Sequence, residues 1–135
     1  MAKEDYLEAI RVTKQLDLNL LNDNEGRKKL ALEFCPLILN YCQCLLELET
    51  GHSEIIKHTT DLIEKDGITD SAKIFYKRML ANLYLANEKE CLKDLDRITE
   101  LDPSLQKLCQ KKRKELFSKL KERDKNLSKN LKKMF

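Results

Sequence analysis

The sequence predicts an all-α protein: a stack of antiparallel helix pairs closed by one long C-terminal helix. Three observations point there. Across 135 residues, 36% are charged and only 6% aromatic, with three Gly, two Pro and no Trp, the Leu-, Lys- and Glu-rich balance of helical proteins. Apolar residues recur at intervals of three and four through most of the chain, the period of a half-buried helix. Strand-like alternation of β-branched and aromatic residues is missing from the sequence. The length suits one domain with a modest core.

Taken in order, Tyr6–Leu21 carries Tyr6, Ala9, Ile10, Thr13, Leu16 and Leu20 on one helical face. Asn22–Gly26 is a loop by composition. Helix resumes near Arg27 and runs to Leu48, with Pro36 expected to interrupt it as a kink or a new first turn. Thr50–Ser53 is a turn, and Ser53 is the expected N-cap of a helix Glu54–Lys65. Asp66–Asp70 is the next break, after which Asp70 or Ser71 caps a helix Ala72–Ala86. Asn87-Glu88 turns the chain into helix Lys89–Leu101, which stops at Asp102-Pro103.

The four central helices read as one unit used twice. Ile55 aligns with Cys91 and Leu62 with Ile98 at a constant offset of 36 residues. A helix–turn–helix unit near ~34 residues ending E-L-D-P, as Glu100–Pro103 does here, is the tetratricopeptide pattern. Such units cannot bury their apolar faces alone and must stack. Residues 1–103 are therefore expected to form tetratricopeptide repeats, the first of them lacking its first helix, with Tyr6–Leu21 as its second helix. The fold class expected is a tetratricopeptide-type right-handed stack. Met79 stands where the repeat prefers a small residue, so the second unit is expected to sit slightly apart.

From Ser104 to Phe135 the chain carries a formal charge of +9, leaving −6 for the remainder. Leu105, Cys109, Leu116, Leu120, Leu127, Leu131 and Met134 form a stripe along this segment. Residues 104–135 thus read as a basic amphipathic helix whose first half covers the last repeat and whose tip projects. The basic tail raises nucleic-acid binding as a weaker alternative, because no aromatic stacking platform accompanies the lysines.

Chemistry-bearing motifs are sparse. The five cysteines are odd in number and lack C-x-x-C spacing, so they read as small buried apolar side chains of a reducing compartment. His52 and His58 fit no metal or triad spacing and read as surface residues. Neither a P-loop nor a nucleophile signature occurs. The expectation is a non-enzyme without cofactor, metal or small-molecule substrate. No apolar run is expected to approach the roughly 18–20 residues of a bilayer span, and the start carries no hydrophobic signal region. The expected location is the cytoplasm, with the nucleus also open.

One constellation suggests binding. Tetratricopeptide stacks present a groove lined by the first helix of each unit, and a carboxylate captured there needs an amide donor and converging cations. Asn40 lies on one first helix, and Lys73 and Lys77, four apart and so on one face, lie on the next, with Arg78 beside them. Asn40 is either a ligand-binding amide or one bonded inside the stack, and the cations are either a clamp or an ordinary solvated face.

The stretches L-I-L-N-Y-C-Q-C-L-L at 37–46, K-I-F-Y-K-R at 73–78 and the E-L-D-P-S-L around 100–105 resemble the C-terminal tetratricopeptide domain of the aryl hydrocarbon receptor-interacting protein family. That resemblance implies an immunophilin-like co-chaperone adaptor binding the acidic C-terminal peptide of Hsp90, and often Hsp70, in its groove. It implies Asn40, Lys73 and Lys77 as peptide-carboxylate residues, with Arg78 beside them. Lys at 77, where the family commonly has Arg, keeps the charge and loses the bidentate fork. It implies also that the tail helix, through Leu127, Leu131 and Phe135, contacts a client of receptor or phosphodiesterase type. The family's upstream prolyl-isomerase-like domain has no counterpart in these residues. A chaperone-independent helical scaffold is the alternative.

Overall fold

A computed structural model describes residues 3–11 and 24–134. Residues 3–11 are helical (α1). Five longer helices follow: α2 (Asn24–Glu47), α3 (His52–Glu64), α4 (Ala72–Tyr84), α5 (Glu88–Leu101) and α6 (Gln106–Met134), with a short 3-10 turn at Pro103–Leu105. The described residues contain no strand. The protein is an all-α, tetratricopeptide-like stack with a long C-terminal helix. Short links between α2 and α3 and between α4 and α5 fold each pair back on itself. The remainder of the helix expected over Tyr6–Leu21 lies outside the described residues.

The core has two clusters that meet at α4. Ile10 of α1, then Cys35, Ile38, Tyr41, Cys42 and Leu45 of α2, pack with Ile55 and Leu62 of α3 and with Ile74 and Ala81 of α4. From its other side α4 sends Phe75, Met79 and Leu83 against Cys91, Leu95 and Ile98 of α5, and Cys109, Leu116 and Leu120 of α6 complete that cluster. The repeat-related positions Ile55, Leu62, Cys91 and Ile98 are all buried. Met79 is fully buried too, with the Cys91 sulfur 4.0 Å from its carbonyl oxygen.

Several helix boundaries differ from expectation for identifiable reasons. Pro36 sits inside an unbroken α2. The amide it lacks would have bonded to Leu32, and both residues are solvent-exposed, so water can serve the freed carbonyl. The last turns of α2 and α4 stop at Glu47 and Tyr84 because Glu49 and Ala86 adopt left-handed φ of 52° and 56°. Thr50 N bonds back to Leu45 O at 3.1 Å and Asn87 N to Asn82 O at 2.9 Å, closing a Schellman end in each case. Neither end carries the glycine that usually marks it. Helix α3 begins at His52, with left-handed Gly51 as its N-cap rather than Ser53. Added bulk at Gly51 would meet Leu45 at 3.1 Å.

Lys28–Glu47 of α2 is, by length and composition alone, long and apolar enough to cross a membrane, contrary to the sequence-based expectation. Its residues Cys35, Ile38, Tyr41, Cys42 and Leu45 are instead spent on the core. The cysteines behave as apolar filler: four are buried and Cys44 is half-buried. Burial pushes the Cys42 thiol up to about 12 and the Cys91 thiol to about 11.

The histidines are a correction. Both are buried. His52 stacks flat on Tyr84 with ring centres 3.7 Å apart, and His58 meets Tyr41 edge-on at 5.7 Å with Glu54 at 3.7 Å. Burial, with Lys119 nearby, lowers the His52 pKa below its ordinary 6.5 against the pull of Glu49. The unfolded chain therefore takes up a proton at His52 before the folded one does. The stability gained by a neutral His52 is complete above pH 6.5 and declines as pH falls from there towards the folded value. Urea unfolding at pH 7.5 and 5.5 is expected to show this loss, and His52→Phe, which keeps a ring on Tyr84, should reduce the slope. An unchanged slope would remove His52 from the titration.

Helix α6 divides at Leu120. Cys109, Leu116 and Leu120 are buried against the last repeat, and every described residue from 121 on is exposed. Lys119 reaches back over the Tyr84 ring and bonds its carbonyl oxygen, and Arg123 bonds the Ala86 carbonyl at 3.3 Å. Beyond that anchor the helix projects, with Leu127, Leu131 and Met134 exposed by 58%, 47% and 77%.

Candidate binding groove

The first helices of the two units, α2 and α4, face each other across a groove of about 1030 Å³. Its floor is apolar, from Leu39 of α2, Ile68 of the α3–α4 link, Tyr76 of α4 and Leu105 and Leu108 at the start of the tail. Ile68 is held there by its amide, which bonds the Leu62 carbonyl at 3.0 Å. A cleft of this size exceeds what most small ligands fill and matches a short extended segment.

Three of the four residues singled out from sequence line this groove together. Asn40 stands on the α2 wall and Lys73 and Lys77 on the α4 wall. Asn40 is exposed and makes no side-chain hydrogen bond to another described residue, so the alternative of an amide bonded inside the stack does not hold. Lys73 is exposed as well, and Lys77 is half-buried. Burial lowers the Lys77 pKa, opposed by the charge of Glu47 and favoured by that of Lys73.

Arg78 is turned away and is corrected here. Consecutive helical residues point about 100° apart, and the step from Lys77 to Arg78 leads out of the cleft, which Arg78 does not line. The Arg78 guanidinium instead forks onto Asp94 of α5, with Nε to Oδ2 at 3.0 Å and Nη2 to Oδ1 at 2.8 Å. It also donates to Thr60 of α3 at 3.2 Å and lies 5.4 Å from the centre of the Phe75 ring. Burial raises the Asp94 carboxyl pKa even against the hydrogen bonds of Arg78. This pair ties three helices together behind the groove.

Gln43 was missed. It lies one turn after Asn40 on the same face, accepts from Lys77 Nζ and donates through Nε2 to Glu47 at 3.2 Å. Its spacing of three from Asn40 was the available signal. Among the described residues no three His, Cys, Asp or Glu side chains converge as a metal site would need.

Comparison with known proteins bears on what this groove belongs to. No family model matches the chain. It is 35% identical over 123 residues to bovine aryl-hydrocarbon-interacting protein-like 1, a match covering 90% of this chain and 36% of that protein. The mouse protein of the same name is 42% identical over 72 residues, 53% of this chain and 21% of the relative, and the bonobo protein is 37% identical over 107 residues. The chain belongs to the aryl hydrocarbon receptor-interacting protein family. It spans about a third of the length of the bovine relative. The stretch L-I-L-N-Y-C-Q-C-L-L, singled out in the sequence, supplies both Asn40 and Gln43 of the α2 groove wall and the buried Ile38, Tyr41, Cys42 and Leu45.

Proposed function

We propose that this chain is a co-chaperone adaptor module whose α2–α4 groove binds an acidic peptide through its free C-terminal carboxylate, as at the ends of Hsp90 and Hsp70. The observation that carries the reading is the convergence of Asn40, Lys73 and Lys77 from two facing helices onto one apolar-floored cleft. An amide and two ammonium groups offer charge-assisted hydrogen bonds to a carboxylate, while Leu39, Tyr76 and Leu108 supply apolar surface for the preceding side chains. The projecting tip of α6, with Leu127 and Leu131 exposed, offers a separate face for a client of receptor or phosphodiesterase type. The third tail residue expected to take part, Phe135, lies outside the described residues. Work of this kind belongs in the cytoplasm or nucleus and needs no catalysis.

The test is titration with a peptide ending Met-Glu-Glu-Val-Asp beside its C-terminally amidated twin. Binding of the acid alone is expected. Lys73→Ala should weaken the acid by about 1–3 kcal/mol, the range for a hydrogen bond to a charged group. Equal binding of acid and amide would refute a carboxylate site, and an unchanged affinity in Lys73→Ala would remove that lysine from it.

A further inference from the structure

Two carboxylates, Asp70 and Asp102, line the groove, and a third, Glu47, reaches it only through the lining residue Gln43. Glu47 is the last residue of α2, where the helix dipole disfavours a negative charge, and the last turn holds no basic residue to relieve it. What it has instead is Gln43 one turn earlier, whose Nε2 donates to Glu47 Oε1 at 3.2 Å while its Oε1 accepts from Lys77. A single amide thus joins a carboxylate on α2 to a cation on α4. Lys73, one turn before Lys77, has no such partner among the described residues and stands exposed.

Resting on the carboxylate reading above, we propose that Glu47 is a resident competitor for the anion site, engaging Lys77 through Gln43 in the empty groove and thereby setting how tightly a peptide carboxylate binds. Gln43 is the positioning residue of this device. An incoming carboxylate gains Lys73 and Asn40 outright, but at Lys77 it meets an ammonium whose field Glu47 already partly satisfies. The amide of Gln43 suits the task because it presents an acceptor to Lys77 and a donor to an anion together. Glu47 is exposed and makes no core contact, so replacing it isolates charge from packing.

Glu47→Gln is expected to tighten binding of the acid peptide by about two- to fivefold, the range for an exposed charge interaction, and to leave the amidated twin unchanged. The gain should shrink with added salt. Gln43→Glu, which sets a carboxylate directly against Lys77, should weaken the acid peptide instead. Both variants should melt with the parent, since neither side chain belongs to the core clusters. If the parent prefers acid to amide while Glu47→Gln binds no tighter, the role of Glu47 is overturned and the groove reading stands. If the parent binds acid and amide alike, the carboxylate reading fails, and this inference falls with it.

Discussion

Replacing Arg78 with alanine is expected to lower the unfolding free energy by about 3–5 kcal/mol, the cost of stranding a buried charge. Asp94, 2% exposed in the folded protein, would lose its guanidinium partner. Burial already raises the pKa of that carboxyl with Arg78 in place, so removing the cation should push it further up. The variant should then regain part of its lost stability as pH falls and Asp94 takes up a proton. Asp94→Leu made together with Arg78→Leu should recover most of the loss, because apolar packing can replace a buried pair that a single deletion cannot. Urea midpoints for the single and double variants decide this. A loss below about 1 kcal/mol in Arg78→Ala would mean that the pair is solvated as an ordinary surface bridge. Where the variant is folded, its preference for acid over amidated peptide should survive, since Arg78 lies behind the groove.

Leu116→Ala and Leu127→Ala should differ sharply although both residues belong to one stripe on one helix. Leu116 is fully buried between α5 and α6. Truncating it should cost about 2–5 kcal/mol, the usual sum of lost transfer energy and residual cavity. Leu127 is 58% exposed, and its truncation should stay within about 0.5 kcal/mol. Thermal unfolding separates the two cases. If Leu127→Ala destabilised as much as Leu116→Ala, the tip of α6 would have to fold back onto the stack or onto a second copy.

The pattern of apolar spacing made most of the fold legible. Offsets between Ile55 and Cys91 and between Leu62 and Ile98 revealed a repeated unit, and from the repeat came the two first helices that form the groove walls. Asn40, Lys73 and Lys77 followed because the period fixes which residues share a face. Arg78 departs from this set because its guanidinium is held by Asp94, a partner 16 positions away that no local spacing announces. The histidines were lost differently. His58 falls in step with Ile55, Thr59 and Leu62, a signal present in the spacing, whereas His52 is covered by Tyr84 from 32 positions away. No local pattern announces that. The helix ends at Glu49 and Ala86 were illegible because the left-handed residue there is not glycine. Nothing local marks Gln43, which meets Lys77 only because α4 packs beside α2.

Packing in this stack is largely between sequence neighbours: α3 with α2 and α4, α4 with α5, and α5 with α6. Few distant segments must find one another before contacts begin to reward ordering, which favours rapid folding. A chain of this kind can also build from its N-terminal side as it leaves the ribosome. Until residues through Leu120 have emerged, however, Phe75, Leu83 and Leu95 lack the cover that α6 gives them. The tail helix is thus made after the rest of the stack and seals it. A chain cut short before it should present fresh apolar surface to the cell's quality-control machinery.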